Sequence, residues 1–138
     1  MAEALILDSE AVSALANTDA RGASALRTRA ILQAARESSG IVRVPAPVLA
    51  EVCRSPRLDA AVNHVLSARG IVVIPLSPEV ARRAGHLLTK AKLSSAHAVD
   101  AFVVSTALEY GSAVIATGDV GDIERLSAGH RGIRVFAL

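Results

Sequence analysis

Five short runs of apolar, mostly β-branched residues are spaced along this chain, and longer stretches with helical periodicity separate them. The runs are ALIL at 4–7, IVRV at 41–44, IVVIPL at 71–76, AVIA at 113–116 and IRVFAL at 133–138. Runs of this kind, bounded by glycines, are typical of the inner strands of a parallel sheet that is covered on both faces. The alternation therefore predicts a three-layer α/β/α domain with a mainly parallel central sheet of about five strands, joined by right-handed crossovers.

Helical segments are predicted between these runs. They cover residues 10–17, 20–38, 47–54, 57–68, 78–91 and 96–109, with a short turn near 121–127. Ser77, Pro78 and Glu79 have the pattern of a helix start, with a capping residue, a proline in the first turn and a favourable acid. Gly111 is predicted to end the helix that contains Asp100. No repeat, linker or low-complexity tract interrupts the pattern, which predicts a single domain over 1–138.

Composition and charge narrow the class of protein. Hydrophobic residues make up 51% of the 138 residues, which argues against disorder, and no apolar run approaches the roughly 20 residues of a membrane span. The N-terminus lacks the basic leader of a signal peptide, and the single Cys53 cannot form an internal disulfide. Both features favour the cytoplasm. The net charge of +2 permits binding to nucleic acid without indicating it.

Four acids fall where a parallel sheet forms its binding sites. Asp8 follows the first predicted strand directly, and Asp119 stands just past the fourth. Because ligand sites of open parallel sheets form beyond the carboxyl ends of the strands, both acids should project from the same edge. Glu51 lies about one turn into the helix after the second strand, and Asp100 lies in the first turns of the helix that leads to the fourth. We therefore expect four carboxylates to meet at one edge of the sheet.

A cluster of carboxylates requires a cation, since without one the acids repel each other and some take up protons. No cluster of histidines or cysteines accompanies these acids, and oxygen ligands alone select a hard cation, Mg²⁺ or Mn²⁺. Such a metal ion neutralises phosphate charge and lowers the pKa of an attacking water molecule. The pattern therefore predicts the hydrolysis of a phosphate ester.

Each of these acids also has a simpler interpretation. Asp8 is able to cap the helix that follows it. Asp100 is able to pair with His97, one turn earlier on the same helix. Glu51 has the simpler interpretation of a solvated helix residue. Asp119 and Asp122 are able to bond to the nearby backbone as turn acids. The combination of acids and their order along the chain favour a shared site.

Four segments that contain these acids resemble the four acidic motifs of PIN domains, and more narrowly those of the VapC toxins of bacterial toxin–antitoxin pairs. The segments are LILDSEAVSAL, VPAPVLAEV, VDAFVVSTALEYG and IATGDVGDI. The resemblance covers nearly the whole chain. It implies a Mg²⁺- or Mn²⁺-dependent endoribonuclease that is usually a homodimer and is neutralised by a cognate VapB-type antitoxin. The implied catalytic and metal-binding quartet is Asp8, Glu51, Asp100 and Asp119, with Asp122 as a fifth candidate ligand.

Further residues are assigned to the substrate-binding surface. Ser9 and Thr117 match small hydroxyl residues of the family and are expected to orient a carboxylate or a water molecule, although Ser9 is also suited to capping. Arg54 and Arg57 flank Glu51, and we expect them to hold RNA phosphates. The alternative is that both are solvated surface charges.

Two residues depart from the family pattern. Glu10 stands where the family usually has a small or uncharged residue, so it adds a ligand, repels RNA or faces solvent. Ile123 follows Asp122 where an aromatic residue is common, which leaves the local turn and the role of Asp122 open.

The predicted homodimer rests on the resemblance, with one possible surface in the sequence. The segment SPEVARRAGHLLTKAKL is amphipathic, and one stripe of it is apolar. The stripe consists of Val80, Ala84, Leu87, Leu88 and Ala91. It is interpreted either as part of the core or as a helical dimer interface.

Two other classes of function are weighed. A phosphatase of the haloacid-dehalogenase type also has an Asp after its first strand, but here DSE replaces Asp-x-Asp, GDVGD is one residue short and Glu51 has no role. A non-catalytic PIN-like binding module would be expected to have lost some of the four acids, and all four are present. A receiver-like module would have paired acids on its first loop and a lysine after its last strand, and the sequence shows neither. A ribonuclease is therefore the preferred prediction.

Overall fold

The sheet agrees with the prediction from the apolar runs. The computed structural model describes residues 3–17 and 21–138. Its strands are β1 (Ala4–Leu7), β2 (Ile41–Pro45), β3 (Ile71–Ile74), β4 (Ala113–Thr117) and β5 (Ile133–Ala137). They form one sheet in the order β3-β2-β1-β4-β5, and each neighbouring pair is parallel. All four residues of the central strand β1 are buried. The predicted parallel five-stranded sheet is confirmed.

Two groups of helices form the outer layers. The helices are α1 (Ser9–Ala16), α2 (Ala23–Glu37), α3 (Leu49–Val52), α4 (Pro56–Leu66), α5 (Pro78–Ala91), α6 (Ala98–Leu108) and α7 (Val120–Ser127). Helix α1 packs against α2, α3 and α4, whereas α5 packs against α6 and α7. The predicted three-layer α/β/α arrangement is confirmed. Within the described ranges, no helix is both long and apolar enough to cross a membrane.

The predicted boundaries differ from the observed ones at several ends. Two predicted helices begin with a short 3₁₀ turn, Ala46–Val48 before α3 and Ser95–His97 before α6. Strand β3 stops at Ile74 because the next residue is a proline, which has no N–H for a sheet hydrogen bond. The predicted start of the second helix at residue 20 lies outside the described residues.

Capping residues account for two of the helix starts. The Ser77 hydroxyl accepts a hydrogen bond from the Val80 N–H at 3.1 Å, as the sequence predicts. The Ser55 hydroxyl does the same for the Leu58 N–H at 3.2 Å and starts α4. Gly111 lies just after the end of α6 and adopts a φ of 68° in the turn that leads to β4.

The apolar stripe of α5 belongs to the core of this chain. Val80, Ala84 and Leu87 are buried, and Leu88 and Ala91 pack partly buried against the same core. Of the two interpretations of the stripe, the structure therefore supports the core. The three buried side chains are therefore not available to a dimer interface.

The order of the strands places a crevice beside β1. The chain runs from β1 to β2 and β3 on one side of β1, whereas β4 and β5 lie on the other side. Open parallel sheets bind ligands where the strand order reverses, beyond the carboxyl ends of the strands. Asp8 follows β1 directly, and Asp119 follows β4 by two residues. Both acids therefore lie at this reversal point, as the sequence predicts.

The start of β5 offers a test of the packing at the opposite edge of the sheet. A Cβ added at Gly132 would lie 2.1 Å from the backbone oxygen of Gly111. Relief would require a shift of the turn before β4, so we expect Gly132→Ala to lower the free energy of unfolding by about 1–3 kcal/mol. Gly85→Ala, where an added Cβ meets nothing within 4 Å, should instead stabilise helix α5 by roughly 0.5–1 kcal/mol. Urea denaturation measures both, and a Gly132→Ala variant as stable as the parent would contradict the expected clash.

Candidate metal centre

Asp8 is held rigidly at the junction of β1 and α1. Its side chain caps α1 by accepting a hydrogen bond from the Ala11 N–H at 2.9 Å, and its other oxygen accepts one from the Gly118 N–H at 3.3 Å. A hydrogen bond from Thr117 adds to these. Burial raises the pKa of Asp8 above its ordinary value, and the three hydrogen bonds oppose the increase. The capping role and the position at the carboxyl edge therefore coexist in one residue.

Thr117 connects the acids that follow β1 and β4. It is completely buried at the end of β4, and its Oγ1 accepts a hydrogen bond from the Asp119 N–H at 2.9 Å. The same hydroxyl hydrogen-bonds to the Asp8 carboxylate. A single fixed hydroxyl thus sets the relative positions of two acids from neighbouring strands.

Ser9 connects α1 with the acid on α3. It is the first residue of α1, and its hydroxyl donates a hydrogen bond to the exposed carboxylate of Glu51. Asp8, and not Ser9, provides the cap of α1. Ser9 is therefore placed to orient a carboxylate, which is one of the two roles expected from the sequence.

The carboxylate of Asp100, on the first turn of α6, is the point at which the acids come together. The pKa of Asp100 is raised to about 6, and burial of the half-exposed side chain is the largest cause. The remaining causes are the negative charges of four other acids. In decreasing order of effect, these are Asp119, Asp8, Asp122 and Glu51. All five acids that the sequence singles out are therefore near enough to one another for their charges to act on Asp100, and ligand atoms of Asp100 and Asp122 lie within 4.8 Å of each other.

Asp122 lies beside a histidine, His97. Its Oδ2 lies 3.3 Å from Nδ1 of His97, at the end of the 3₁₀ turn before α6. One ligand atom from each of His97, Asp100 and Asp122 lies within 4.8 Å of the other two. The pair that the sequence suggested, His97 with Asp100, is therefore joined by Asp122 from α7. The expectation of oxygen ligands alone stays a prediction, and a ring nitrogen stands beside the carboxylates at this point.

Comparison with known proteins agrees with the fold. The model of the PIN domain family matches residues 5–128. The chain belongs to the PIN domain family. Among solved structures, it is similar to a chain in the crystal structure of VapBC2 from Rickettsia felis bound to a DNA fragment from their promoter. The TM-score is 0.65 and the identity 12%, over 97% of this chain and 98% of that one, so the likeness concerns the fold. No curated protein matches the chain in sequence.

The donor atoms of this PIN domain fit a divalent metal ion. PIN nucleases generally use divalent metals. Here the negative charges of four carboxylates contribute to holding the pKa of Asp100 at about 6, a repulsion that a bound cation would relieve. Carboxylate oxygens are ligands that both Mg²⁺ and Mn²⁺ accept.

Helix α6, which carries Asp100, is fixed to α5 by a buried polar contact. The Ser105 hydroxyl donates a hydrogen bond to the Val80 carbonyl at 2.8 Å. The Arg83 guanidinium donates to the Ser105 carbonyl at 3.1 Å and pairs with Glu109 at 3.1 Å. These contacts hold the register of α6 against α5 and so fix the height of Asp100 at the carboxyl edge.

Glu10 and Ile123, the two residues that depart from the family pattern, lie in different environments. Glu10 is exposed, and its carboxylate lies so close to Gly118 that an added Cβ there would meet Oε2 at 1.1 Å. Its charge adds to the increase in the pKa of Asp8. Glu10 thus faces solvent at the rim of the cluster and contributes negative charge there. Ile123 is completely buried, so its aliphatic side chain anchors α7 in the core.

A groove beside Glu51 contains the two arginines assigned to RNA. Its volume is about 530 Å³, and helices α1, α3 and α4 supply its walls. Arg54, Arg57 and Leu58 line it together with Glu51. The Arg54 Nε donates to the Glu51 carbonyl at 3.2 Å, which keeps this side chain beside α3. Both arginines are exposed, so they are accessible to a ligand that enters the groove.

Proposed function

We propose that this chain, acting as one domain over 1–138, is a metal-dependent endoribonuclease of the cytoplasm and the VapC-type toxin of a toxin–antitoxin pair. The observation that carries the proposal is that Asp100 and Asp122 lie side by side and that three further carboxylates are near enough to raise the pKa of Asp100. Membership of the PIN domain family supports a nuclease. The similarity to a chain of the VapBC2 complex supports the narrower assignment. Glu51, which the phosphatase alternative leaves without a role, lies at the cluster.

The acids divide into rigid and adjustable ligands. Asp8 is fixed by two backbone N–H groups and Thr117, so it offers its oxygens in one orientation. Glu51 is exposed and held by the Ser9 hydroxyl, so it is able to adjust as RNA enters. Mg²⁺ or Mn²⁺, when bound, supplies positive charge that neutralises the phosphate and lowers the pKa of a water molecule. Asp8, Glu51, Asp100 and Asp119, with Asp122, are the proposed ligands.

The proposed partners are RNA, a cognate VapB-type antitoxin and a second copy of the chain. An arginine or lysine from the antitoxin would satisfy the carboxylates in place of the metal, through charge-assisted hydrogen bonds. The homodimer rests on the family resemblance. Three of the five residues of the α5 stripe that the sequence offered for it are buried within the chain and the other two are partly buried, so the stripe gives the dimer no support.

Incubation with total RNA tests the proposed activity. Purified protein should produce new RNA ends in the presence of Mn²⁺ or Mg²⁺, and EDTA should prevent their appearance. Sequencing of the 5′ and 3′ ends then maps the cleavage sites. An Asp100→Asn preparation purified in parallel controls for contaminating nucleases. Cleavage that survives EDTA, or that the variant retains, would contradict the proposal.

The groove arginines are expected to contribute to RNA affinity through phosphate contacts. Each contact with single-stranded RNA releases counterions and adds about 0.7 to the slope of log K against log salt concentration. Arg54→Gln with Arg57→Gln should therefore flatten the slope by about 1.4 if each side chain holds one phosphate. Filter binding across a salt series, in an uncleaving Asp100→Asn background, gives the slope.

A matched double variant provides the control for this measurement. Arg36→Gln with Arg69→Gln removes two exposed arginines, one in the last turn of α2 and one just after α4, near the opposite edge of the sheet, and it should leave the slope unchanged. An equal change in both double variants would mean that RNA responds only to net charge. An unchanged slope in both double variants would mean that Arg54 and Arg57 do not contact RNA phosphates.

A further inference from the structure

We propose that His97, Asp100 and Asp122 form a mixed nitrogen–oxygen subsite that gives this PIN domain a preference for Mn²⁺ over Mg²⁺. The inference rests on the proposed function in one respect, namely that the acidic cluster binds a divalent cation. It adds the His97 ring nitrogen to the carboxylate ligands. The preference for Mn²⁺ over Mg²⁺ follows from this nitrogen.

The three side chains are close to the spacing that a metal ion requires. Their ligand atoms lie within 4.8 Å of one another, and the His97 Nδ1 is 3.3 Å from the Asp122 Oδ2. Metal–ligand bonds of about 2.1 Å place neighbouring ligand atoms roughly 3–4 Å apart. The side chains would therefore have to move inward to close the group around an ion.

Local structure holds the imidazole in this position. His97 ends a 3₁₀ turn, and its backbone N–H donates to the Ser94 carbonyl at 3.0 Å. The Ser94 hydroxyl caps the turn by accepting from the Ala96 N–H at 3.3 Å. The His97 side chain is 34% exposed, and that of Asp122 is 31% exposed. The group is therefore partly shielded from water but open to an ion.

Asp100 joins this group to the other acids. Its carboxylate is one corner of the His97 group and is also the one on which the charges of Asp8 and Asp119 act. The ring nitrogen therefore lies within the same centre as the carboxylates. A nitrogen ligand here changes the selectivity of that centre.

The identity of the added ligand decides the selectivity. Mg²⁺ strongly prefers oxygen ligands and dehydrates reluctantly, whereas Mn²⁺ belongs to the first-row series of ions that bind mixed nitrogen and oxygen sites, in which it is the weakest member. The His97 ring nitrogen should thus add affinity for Mn²⁺ and little for Mg²⁺. The alternative is that His97 only pairs with Asp122 and binds no ion, which would create no preference.

Two measurements on metal-free full-length protein test the inference. Electron spin-echo spectroscopy of bound Mn²⁺ should show coupling to a directly bound ¹⁴N nucleus in the parent and lose it in His97→Gln. Calorimetric titrations with Mn²⁺ and with Mg²⁺ should show that His97→Gln lowers the ratio of their affinities by about tenfold. His86→Gln, which changes an exposed histidine on α5, should keep both the coupling and the ratio.

The outcomes separate this inference from the proposed function. A parent without ¹⁴N coupling, or a His97→Gln ratio equal to that of the parent, overturns the subsite even where the same preparation cleaves RNA. Conversely, ¹⁴N coupling that depends on His97 supports the subsite even where no RNA is cut, in which case the ribonuclease assignment fails. Circular dichroism verifies the fold of each variant, and His97→Asn replaces His97→Gln if the latter does not fold.

Discussion

Asp100→Asn is expected to lower the rate of RNA cleavage by about 10³-fold while the fold is retained. A metal ion that stabilises developing charge contributes several kcal/mol to the transition state, and each 1.36 kcal/mol corresponds to a factor of about ten in rate. Asp100 is the carboxylate on which the other four acids act, so its loss should affect ion binding most directly. Single-turnover cleavage of a defined RNA at saturating Mn²⁺ measures the effect.

A neighbouring acid outside the cluster supplies the control for this variant. Glu124→Gln removes an exposed carboxylate from α7 and should leave the cleavage rate near that of the parent. If Asp100→Asn also cleaves at nearly the parent rate, with an unchanged circular dichroism spectrum, the centre does not depend on Asp100 and its assignment is wrong.

The same substitution should make the metal-free protein more stable at neutral pH. The pKa of Asp100 is about 6 in the folded chain and about 3.9 in an unfolded one, so folding is disfavoured once the carboxyl ionises. The contribution of Asp100 to the stability of the metal-free parent should thus be fully present below about pH 4 and be lost as the pH rises through 6. Asp100→Asn removes this decline. Because the group is half exposed, we expect a gain on the order of 1 kcal/mol above pH 7 and none near pH 4.

The fold was predictable because its determinants are local and periodic. The runs of apolar residues in β1, β2 and β4 predict that both faces of the sheet are buried. The structure shows this burial for Ala4–Leu7. Asp8 and Asp119 were predictable for a related reason. Their positions immediately after strands fix the edge at which they lie, and no knowledge of helix packing is needed to place them.

The partner of His97 was not predictable in the same way. The spacing from His97 to Asp100 is three residues, which correctly indicates that the two side chains are close. Asp122 reaches them only because α7 packs against α6, and that contact depends on tertiary packing. The α5 stripe had a similar ambiguity. An apolar face predicts burial, but whether another helix of the same chain or a second copy covers it is decided by the fold.

Mn²⁺ is expected to stabilise the folded chain strongly near pH 7.5 and progressively less as the solution becomes acidic. An ion at about 100 times its dissociation constant adds about 2.7 kcal/mol to the free energy of unfolding, a rise in Tm of roughly 10 °C for a chain of this size. Its ligands must be deprotonated, and the pKa of Asp100 is about 6. Below this pH the proton and the ion compete for the same carboxylate, so the apparent affinity should fall by up to about tenfold per pH unit.

Differential scanning calorimetry at fixed Mn²⁺ should therefore show a shift in Tm that shrinks from pH 7.5 to pH 5. Asp100→Asn should show a small shift at every pH. A full shift at pH 5, or one of equal size in the variant, would mean that the ion is held by the acids at the ends of β1 and β4 without Asp100.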